Sequence, residues 1–213
     1  MPPAPGRIVV LNGAPRSGKS SIAAALQARA DGVWINIGVD LFMPATPPRL
    51  RPGIGLRPGA ELPEVAALVP TLYAALYEAV AAASRLELDV VVDVGHHAES
   101  GAATGILGDC ARRLAGLPAL LVGVRCPIDT IMARRRAAPG IYAVAPEGRP
   151  VPEPVLGWQR AVRAHGHYDL ELDTAQMTPD ACAATIIERL RAGIPRPIAF
   201  ERLASLPPVA GDR

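Results

Sequence analysis

The sequence predicts an α/β fold in which a five-stranded parallel sheet is covered by helices on both faces. Strands and helices alternate along most of the 213 residues, which is typical of βαβ units. Residues 8–11 and, within the strand at 89–94, residues 90–92 are apolar at every position, so both faces of these strands must be buried, as in a parallel sheet. Such sheets bind ligands at the carboxyl ends of their strands, where we expect the functional residues.

Each element rests on a local signal. Short apolar, β-branched runs predict strands at 8–11, 33–39, 89–94, 119–124 and 168–172. Helices are predicted at 20–30, 70–85, about 100–115, 128–137, about 154–165 and 179–192. Pro70 is assigned to a helical first turn because proline is favoured there. Proline and glycine without periodicity predict loops at 44–63 and 138–154, and the tail from Ile194 is predicted to lie over the surface.

Composition narrows the function classes. Half of the residues are hydrophobic and 20% are charged, which argues against general disorder, and a net charge of +2 argues against a dedicated nucleic-acid binder. No uncharged apolar run reaches the roughly 18 residues of a membrane span, and the N-terminus does not resemble a secretory signal. The three cysteines, Cys110, Cys126 and Cys182, are far apart and fit neither a disulfide framework nor a zinc site. We therefore expect a cytoplasmic protein without a nucleic-acid or membrane partner.

Lys19 is the only lysine among 22 Lys and Arg residues. A chain so rich in arginine uses it wherever a generic positive charge suffices. A guanidinium, however, cannot replace the compact ammonium group at a tight phosphate site. The lone lysine therefore marks a position whose chemistry requires lysine.

That lysine completes a phosphate-binding-loop motif. Residues 13–20, GAPRSGKS, fit G-x-x-x-x-G-K-[ST] between a predicted strand and a predicted helix, a context that disfavours a chance match. Lys19 would bridge the β- and γ-phosphates of ATP, and Ser20 would bind Mg²⁺. The motif predicts a three-layer fold of the P-loop NTPase type. The predicted nucleotide-binding residues in this segment are Gly13, Ala14, Pro15, Arg16, Ser17, Gly18, Lys19, Ser20 and Ser21.

Two acids follow predicted strands. Asp40, after the second strand, could accept a proton from an acceptor hydroxyl, or it could simply cap a helix. Asp93 follows Val90-Val91-Val92 as in a Walker B segment, and would hold Mg²⁺ or its water shell; a helix cap is again the alternative. The adjacent pair His96-His97 has no metal-site spacing and is more typical of surface or capping histidines.

Arg134, Arg135 and Arg136 lie together on a predicted helix. Such runs commonly form a solvated face. The flanking proline- and glycine-rich loops favour instead a helical lid, one of whose arginines would stabilise the charge on the transferring phosphoryl group.

Several segments together resemble the chloramphenicol phosphotransferase family. They are VLNG at 10–13, GKSS at 18–21, GVD at 38–40, VGVRC at 122–126 and YDLELDT at 168–174, and their order and spacing agree over about residues 7–190. The resemblance implies a P-loop small-molecule kinase that transfers the γ-phosphate of ATP to a hydroxyl group. It implies that Asp40 is the catalytic base, that Asp173 and Thr174 lie near the adenine, and that Arg134 is the first lid arginine.

Three segments depart from the family pattern. Ala138 stands where the family's lid has a second arginine, so Arg135 or Arg136 must substitute; Arg136, with Lys19, Asp40 and Arg134, is assigned to catalysis. The segments 93–97 and 44–63 also differ. Because these parts select the acceptor, the sequence predicts a small hydroxylated metabolite or antibiotic without naming it.

The chain is expected to form a single domain, 1–213. Within it we expect a flexible arm at 1–6, an acceptor-side loop at 44–63, a lid region at 128–154 and a proline-rich tail at 194–213; a homo-oligomer is compatible with the sequence. Two alternatives to the kinase stay open. One is a nucleotide-binding regulator with vestigial transfer. The other is a nucleoside or nucleotide kinase, for whose acceptor phosphate Arg49, Arg51 and Arg57 are the candidates.

Overall fold

The computed structural model describes residues 4–51, 63–96, 101–138, 145–146, 148–193 and 196–206. It confirms the α/β fold with a five-stranded sheet in the order β2-β3-β1-β4-β5. Every neighbouring pair is parallel, and β1 lies at the centre with Leu11 beside Asp93 of β3 and Val122 of β4. All five strands therefore end at the same edge of the sheet.

The elements agree closely with the sequence prediction. They are β1 (Ile8–Asn12), α1 (Lys19–Arg29), β2 (Trp34–Asn36), α2 (Val39–Phe42), α3 (Pro63–Arg85), β3 (Asp89–Val94), α4 (Gly101–Arg113), β4 (Ala119–Arg125), α5 (Ile128–Ala137), α6 (Glu153–Ala161), β5 (Leu170–Asp173), α7 (Pro179–Ala192) and α8 (Ala199–Ala204). The predicted loop 44–63 contains two short 3-10 turns, Met43–Ala45 and Pro48–Leu50. Its residues 52–62 lie outside the described ranges.

Alternate residues of the central strand enter two separate cores. On one face, Ile8 and Val10 pack with residues of α3, α4 and α8. On the other, Val9 and Leu11 pack with residues of α1 and α7. All four side chains are fully buried, so the sheet is covered on both faces and the fold has three layers.

The second strand is shorter than predicted. β2 ends at Asn36, and the last main-chain bond to its neighbour runs from the Ile37 N–H to the Val91 carbonyl. The carbonyl of Gly38 then accepts the N–H groups of Leu41 and Phe42, which starts a helical turn. Asp40 consequently lies on α2 and not at the end of a strand.

Helix α3 begins earlier than predicted. Pro63 occupies its start, and Pro70 lies inside the helix. The prediction of a start near Pro70 was wrong because the apolar face of α3 continues through the proline: Val69 and Tyr73, on either side of it, are both buried. Packing of that face outweighs the hydrogen bond that an interior proline removes.

Within the described residues, α3 is also the one helix long and apolar enough to be a candidate membrane span, over Ala67–Arg85. Its position in the fold is that of a core helix, because Tyr77 and Val80 are fully buried and the helix packs against β3 and α4. Its acidic Glu78 pairs with Arg113 of α4.

The described residues of the two end segments, 4–6 and 196–206, contact the rest of the fold. Gly6, assigned to a flexible arm, donates its N–H to the Ser84 carbonyl and is buried. The tail does not merely lie over the surface, because α8 buries Phe200 and Leu203 against α4. The prolines of the tail led to a prediction without a helix, and α8 lies between them.

Candidate active site

A cleft of about 710 Å³ opens at the carboxyl edge of the sheet. The phosphate-binding loop and α1 form its floor. Its lining includes Arg16, Lys19, Ser20, Asp40, Tyr73, Asp93, Arg134, Trp158 and Thr174. Residues predicted from five separate segments of the chain therefore meet in one place.

The phosphate-binding loop connects β1 directly to α1. Gly18 has φ 102°, a left-handed conformation that glycine adopts freely, and it begins the helix without a side-chain cap. A Cβ on Gly13 would lie 2.6 Å from the Val124 carbonyl oxygen, so only glycine fits against β4 there. The amides at the start of α1 consequently remain available for an anion at the positive end of the helix dipole.

Lys19, Ser20 and Asp93 converge beside this loop. The Ser20 hydroxyl donates to Asp93 Oδ2 at 2.6 Å, and Lys19 Nζ lies 3.5 Å from Asp93 Oδ1 and 3.2 Å from the Ala14 carbonyl oxygen. A hydroxyl and a carboxylate oxygen side by side suit Mg²⁺. This ion takes oxygen ligands, of which the protein usually supplies only a few while water molecules supply the others. The residues present therefore fit this ion, with Ser20 and Asp93 as its holders.

Asp40 lines the same cleft and is exposed on α2. Its position depends on Gly38: a Cβ there would come within 2.9 Å of the Asp93 carbonyl oxygen and 3.1 Å of Asp93 Cβ. The absence of a side chain at Gly38 thus lets the chain approach β3 closely. This approach brings the two acids, Asp40 and Asp93, into the same cleft.

Arg134 joins the loop to the end of β5. Its guanidinium donates to the carbonyl oxygens of Arg16 and Thr174, at 3.2 and 2.8 Å, and to Thr174 Oγ1 at 3.1 Å. The Thr174 hydroxyl in turn donates to the Ser17 carbonyl at 2.7 Å. Asp173, which ends β5, accepts the Ala175 N–H at 2.9 Å and does not line the cleft itself.

The three consecutive arginines have different environments. Arg135 is 1% exposed and its guanidinium carbon lies 5.7 Å from the centre of the Trp158 ring. Arg136 is exposed and does not line the cleft as described, so its catalytic assignment stays a prediction. The run is therefore not a purely solvated face, because Arg134 lines the cleft and Arg135 is buried.

A buried polar cluster below the cleft was not predicted. Asn12, 1% exposed at the end of β1, accepts the main-chain N–H of His96 at 2.7 Å and donates to the Tyr168 hydroxyl at 2.8 Å. Its amide nitrogen also lies 3.3 Å from Nε2 of the buried His165. Asn12 therefore connects the start of the phosphate loop to the segments after β3 and before β5. The one signal in the sequence is an asparagine closing an otherwise apolar strand.

His96 belongs to the wall behind the cleft and not to the surface. It is 3% exposed, its ring stacks on Tyr73 at 4.6 Å between centroids, and its Nε2 is 2.8 Å from the Tyr77 hydroxyl. Burial raises the pKa of both tyrosines, so both hydroxyl groups remain neutral. The second histidine of the pair, at 97, lies outside the described residues.

Two relatives are similar in sequence to this protein over most of its length. Two Mycobacterium tuberculosis proteins, from strains CDC 1551 and H37Rv, bear the name "Putative O-phosphotransferase"; each is 28% identical over 212 residues, covering 93% of this chain and 88% of the relative.

Solved kinases share the fold. A sugar kinase from Janibacter is 18% identical, with TM-score 0.57 over 88% of this chain and 95% of that one. The M. tuberculosis APS kinase in complex with AMPPNP and APS is also 18% identical, with TM-score 0.54 over 89% of this chain and 99% of that one.

The shikimate kinase of Acinetobacter baumannii, 13% identical, matches with TM-score 0.53 over 90% of this chain and 95% of that one. At these identities the structures establish the fold, which is that of the P-loop kinases. The family evidence is more specific, because the profile of chloramphenicol phosphotransferase-like proteins matches residues 6–191. The chain therefore belongs to the chloramphenicol phosphotransferase-like family.

Proposed function

We propose that this protein is a cytoplasmic, ATP-dependent phosphotransferase that moves the γ-phosphate of ATP to a hydroxyl group of a small molecule. The observation that carries the proposal is the composition of one cleft: Lys19, Ser20 and Asp93 lie together beside the phosphate loop, and Asp40 lines the same cleft from α2. The first group suits the phosphates, and the second suits an acceptor hydroxyl.

The residues imply a division of labour. Asp40 takes the proton of the acceptor hydroxyl as its oxygen bonds to the γ-phosphorus, and the bond from that phosphorus to the β–γ bridging oxygen breaks to release ADP. Lys19 neutralises charge on the β- and γ-phosphates, and the amides of the loop hold the β-phosphate. Mg²⁺, held by Ser20 and Asp93, would supply charge neutralisation at the same phosphates.

The acceptor side of the cleft favours a hydroxylated metabolite or antibiotic over a nucleotide. Its described lining includes Val39, Tyr73, Val94 and Gly95, which offer apolar and aromatic surface. Arg51, a candidate for an acceptor phosphate, donates instead to the carbonyls of Thr46 and Pro44 in its own loop, both at 2.8 Å. Arg57 lies outside the described part of the chain.

Asp40→Asn tests the mechanism. Asparagine keeps the shape of the side chain within α2 but cannot take the proton, so kcat should fall by roughly 10²–10⁴-fold while ADP binding is unchanged. Asp129→Asn is the matched control, because Asp129 is an exposed acid in the first turn of α5 and lies outside the cleft.

The acceptor is first sought by ATP consumption against a panel of hydroxylated compounds, beginning with chloramphenicol. Full turnover by Asp40→Asn would leave Asp40 as a purely structural residue in the first turn of α2. Tight ATP binding without transfer to any compound would favour the regulator. Preference for nucleosides or nucleotides would favour the third alternative.

A further inference from the structure

Arg16 holds an unusual backbone conformation. Its φ is 70°, and within the described ranges the only other non-glycine residue with positive φ is Glu87, at 67°. An L-residue is strained there, whereas glycine adopts the conformation freely. The phosphate-loop motif leaves this position open to any residue. We therefore ask what the arginine side chain contributes at this position that glycine could not.

The side chain reaches the end of α5. Arg16 Nη2 donates to the carbonyl oxygen of Ala138 at 2.7 Å, and Ala138 is the residue that closes α5. The last carbonyl groups of a helix lack hydrogen-bond partners within the helix. A cation at this end also interacts favourably with the negative end of the helix dipole. Arg16 thus stabilises the carboxyl end of α5.

The contact is reciprocal. While Arg16 donates from the loop to α5, Arg134 on α5 donates to the main-chain carbonyl of Arg16. Arg134 also bonds Thr174, whose hydroxyl donates to the Ser17 carbonyl. Two guanidinium groups pointing in opposite directions therefore fasten α5 to the phosphate loop on the side of the cleft that carries Thr174.

We propose that Arg16 is a positioning residue that fixes the carboxyl end of α5 against the phosphate loop and thereby keeps Arg134 in place. This role differs from direct nucleotide contact, which the motif alone suggests for Arg16. The effect on nucleotide affinity rests on the proposed function. The effect on α5 does not, because it is a property of the protein without ligand.

Hydrogen exchange of the ligand-free protein tests the contact. Arg16→Gly relieves the backbone strain and removes the side chain, so amides in the last turn of α5 should exchange about tenfold faster while those of β1 and β4 are unchanged. Glu87→Gly relieves the same kind of strain on an exposed turn away from the cleft, and should leave α5 and nucleotide binding unchanged. Arg16→Lys keeps the charge and a donor, and should restore most of the protection.

ADP binding supplies the second measurement. The dissociation constant should rise by roughly three- to tenfold in Arg16→Gly and recover in Arg16→Lys. Unchanged exchange in the last turn of α5 of Arg16→Gly would overturn the proposal, as would equal acceleration in Glu87→Gly. If Arg16→Gly accelerated exchange throughout the sheet, Arg16→Met, which keeps the length of the side chain but not its charge or its donor to Ala138, would decide: loss of protection confined to the last turn of α5 supports the role, and no loss there overturns it. A wild-type protein that bound no ADP would instead contradict the proposed function.

Discussion

His165 should make the stability of this fold depend on pH. Both of its ring nitrogens face hydrogen-bond donors: the main-chain N–H of His167 lies 3.2 Å from Nδ1, and the amide nitrogen of Asn12 lies 3.3 Å from Nε2. The amide cannot turn round, because its oxygen accepts the His96 N–H. A neutral imidazole carries one N–H and accepts at its other nitrogen, whereas an imidazolium ion donates from both, so protonation removes the one acceptor that these donors can use.

The magnitude follows from the pKa. Burial, with a smaller contribution from His167, lowers the pKa of His165 from 6.5 to about 4. The unfolded chain takes up a proton as pH falls below 6.5, whereas the fold resists it until about 4. His165 therefore stabilises the fold fully above 6.5, and this contribution declines by up to about 3 kcal/mol as pH falls to the lower value.

The measurement is urea unfolding of the wild type, His165→Gln and His167→Gln at several pH values between about 7 and about 4. Carboxylates titrate in all three proteins, so the difference between the proteins isolates the histidine. The free energy of unfolding of the wild type should fall more steeply than that of His165→Gln, and His167→Gln should resemble the wild type. Parallel curves for all three proteins would refute the reasoning.

Three further predictions concern the cleft. Lys19→Arg should retain less than about a tenth of the wild-type kcat. A guanidinium is too broad for a site where Nζ of Lys19 lies within 3.5 Å of both the Ala14 carbonyl oxygen and Asp93 Oδ1. Higher turnover would contradict the argument from the lone lysine. Asp93→Asn should raise the midpoint of a Mg²⁺ titration at saturating ATP, and an unchanged midpoint would make Asp93 purely structural. Gly38→Ala should cost about 1–3 kcal/mol in unfolding free energy and lower kcat, since its Cβ would meet main-chain atoms of Asp93. In the control Gly157→Ala, the new Cβ meets only the end of a flexible arginine at 3.9 Å, so stability should not fall.

Local signals predicted the parts of the site that a short segment specifies. The phosphate loop is such a part, because a contiguous motif between a strand and a helix determines its conformation. Short apolar runs also located all five strands, since burial of the inner strands on both faces leaves a continuous apolar signal. The end of β2 was less predictable, because close approach of Gly38 to Asp93 is a tertiary contact.

Contacts between segments far apart in the chain could not be predicted from the local sequence. Asn12 contacts Tyr168 and His165 because β5, which follows them in the chain, pairs with β4 in the sheet. In the same way, nothing in the run Arg134-Arg135-Arg136 shows which side chain turns toward the loop and which is buried. The direction of each is determined by how α5 packs, with Ile131 and Met132 buried.

Helix α8 has a consequence for how the protein can be shortened. The family profile ends at residue 191, before this helix. Yet the carboxylate of Asp169 accepts both the Leu121 N–H of β4, at 2.8 Å, and the Ala199 N–H at the start of α8, at 2.7 Å. A chain cut at the profile boundary would leave one oxygen of that acid without this donor and would uncover the apolar surface beneath Phe200. A truncated protein of this kind would aggregate for reasons unrelated to its chemistry, so assays of transfer require the chain through at least Ala204.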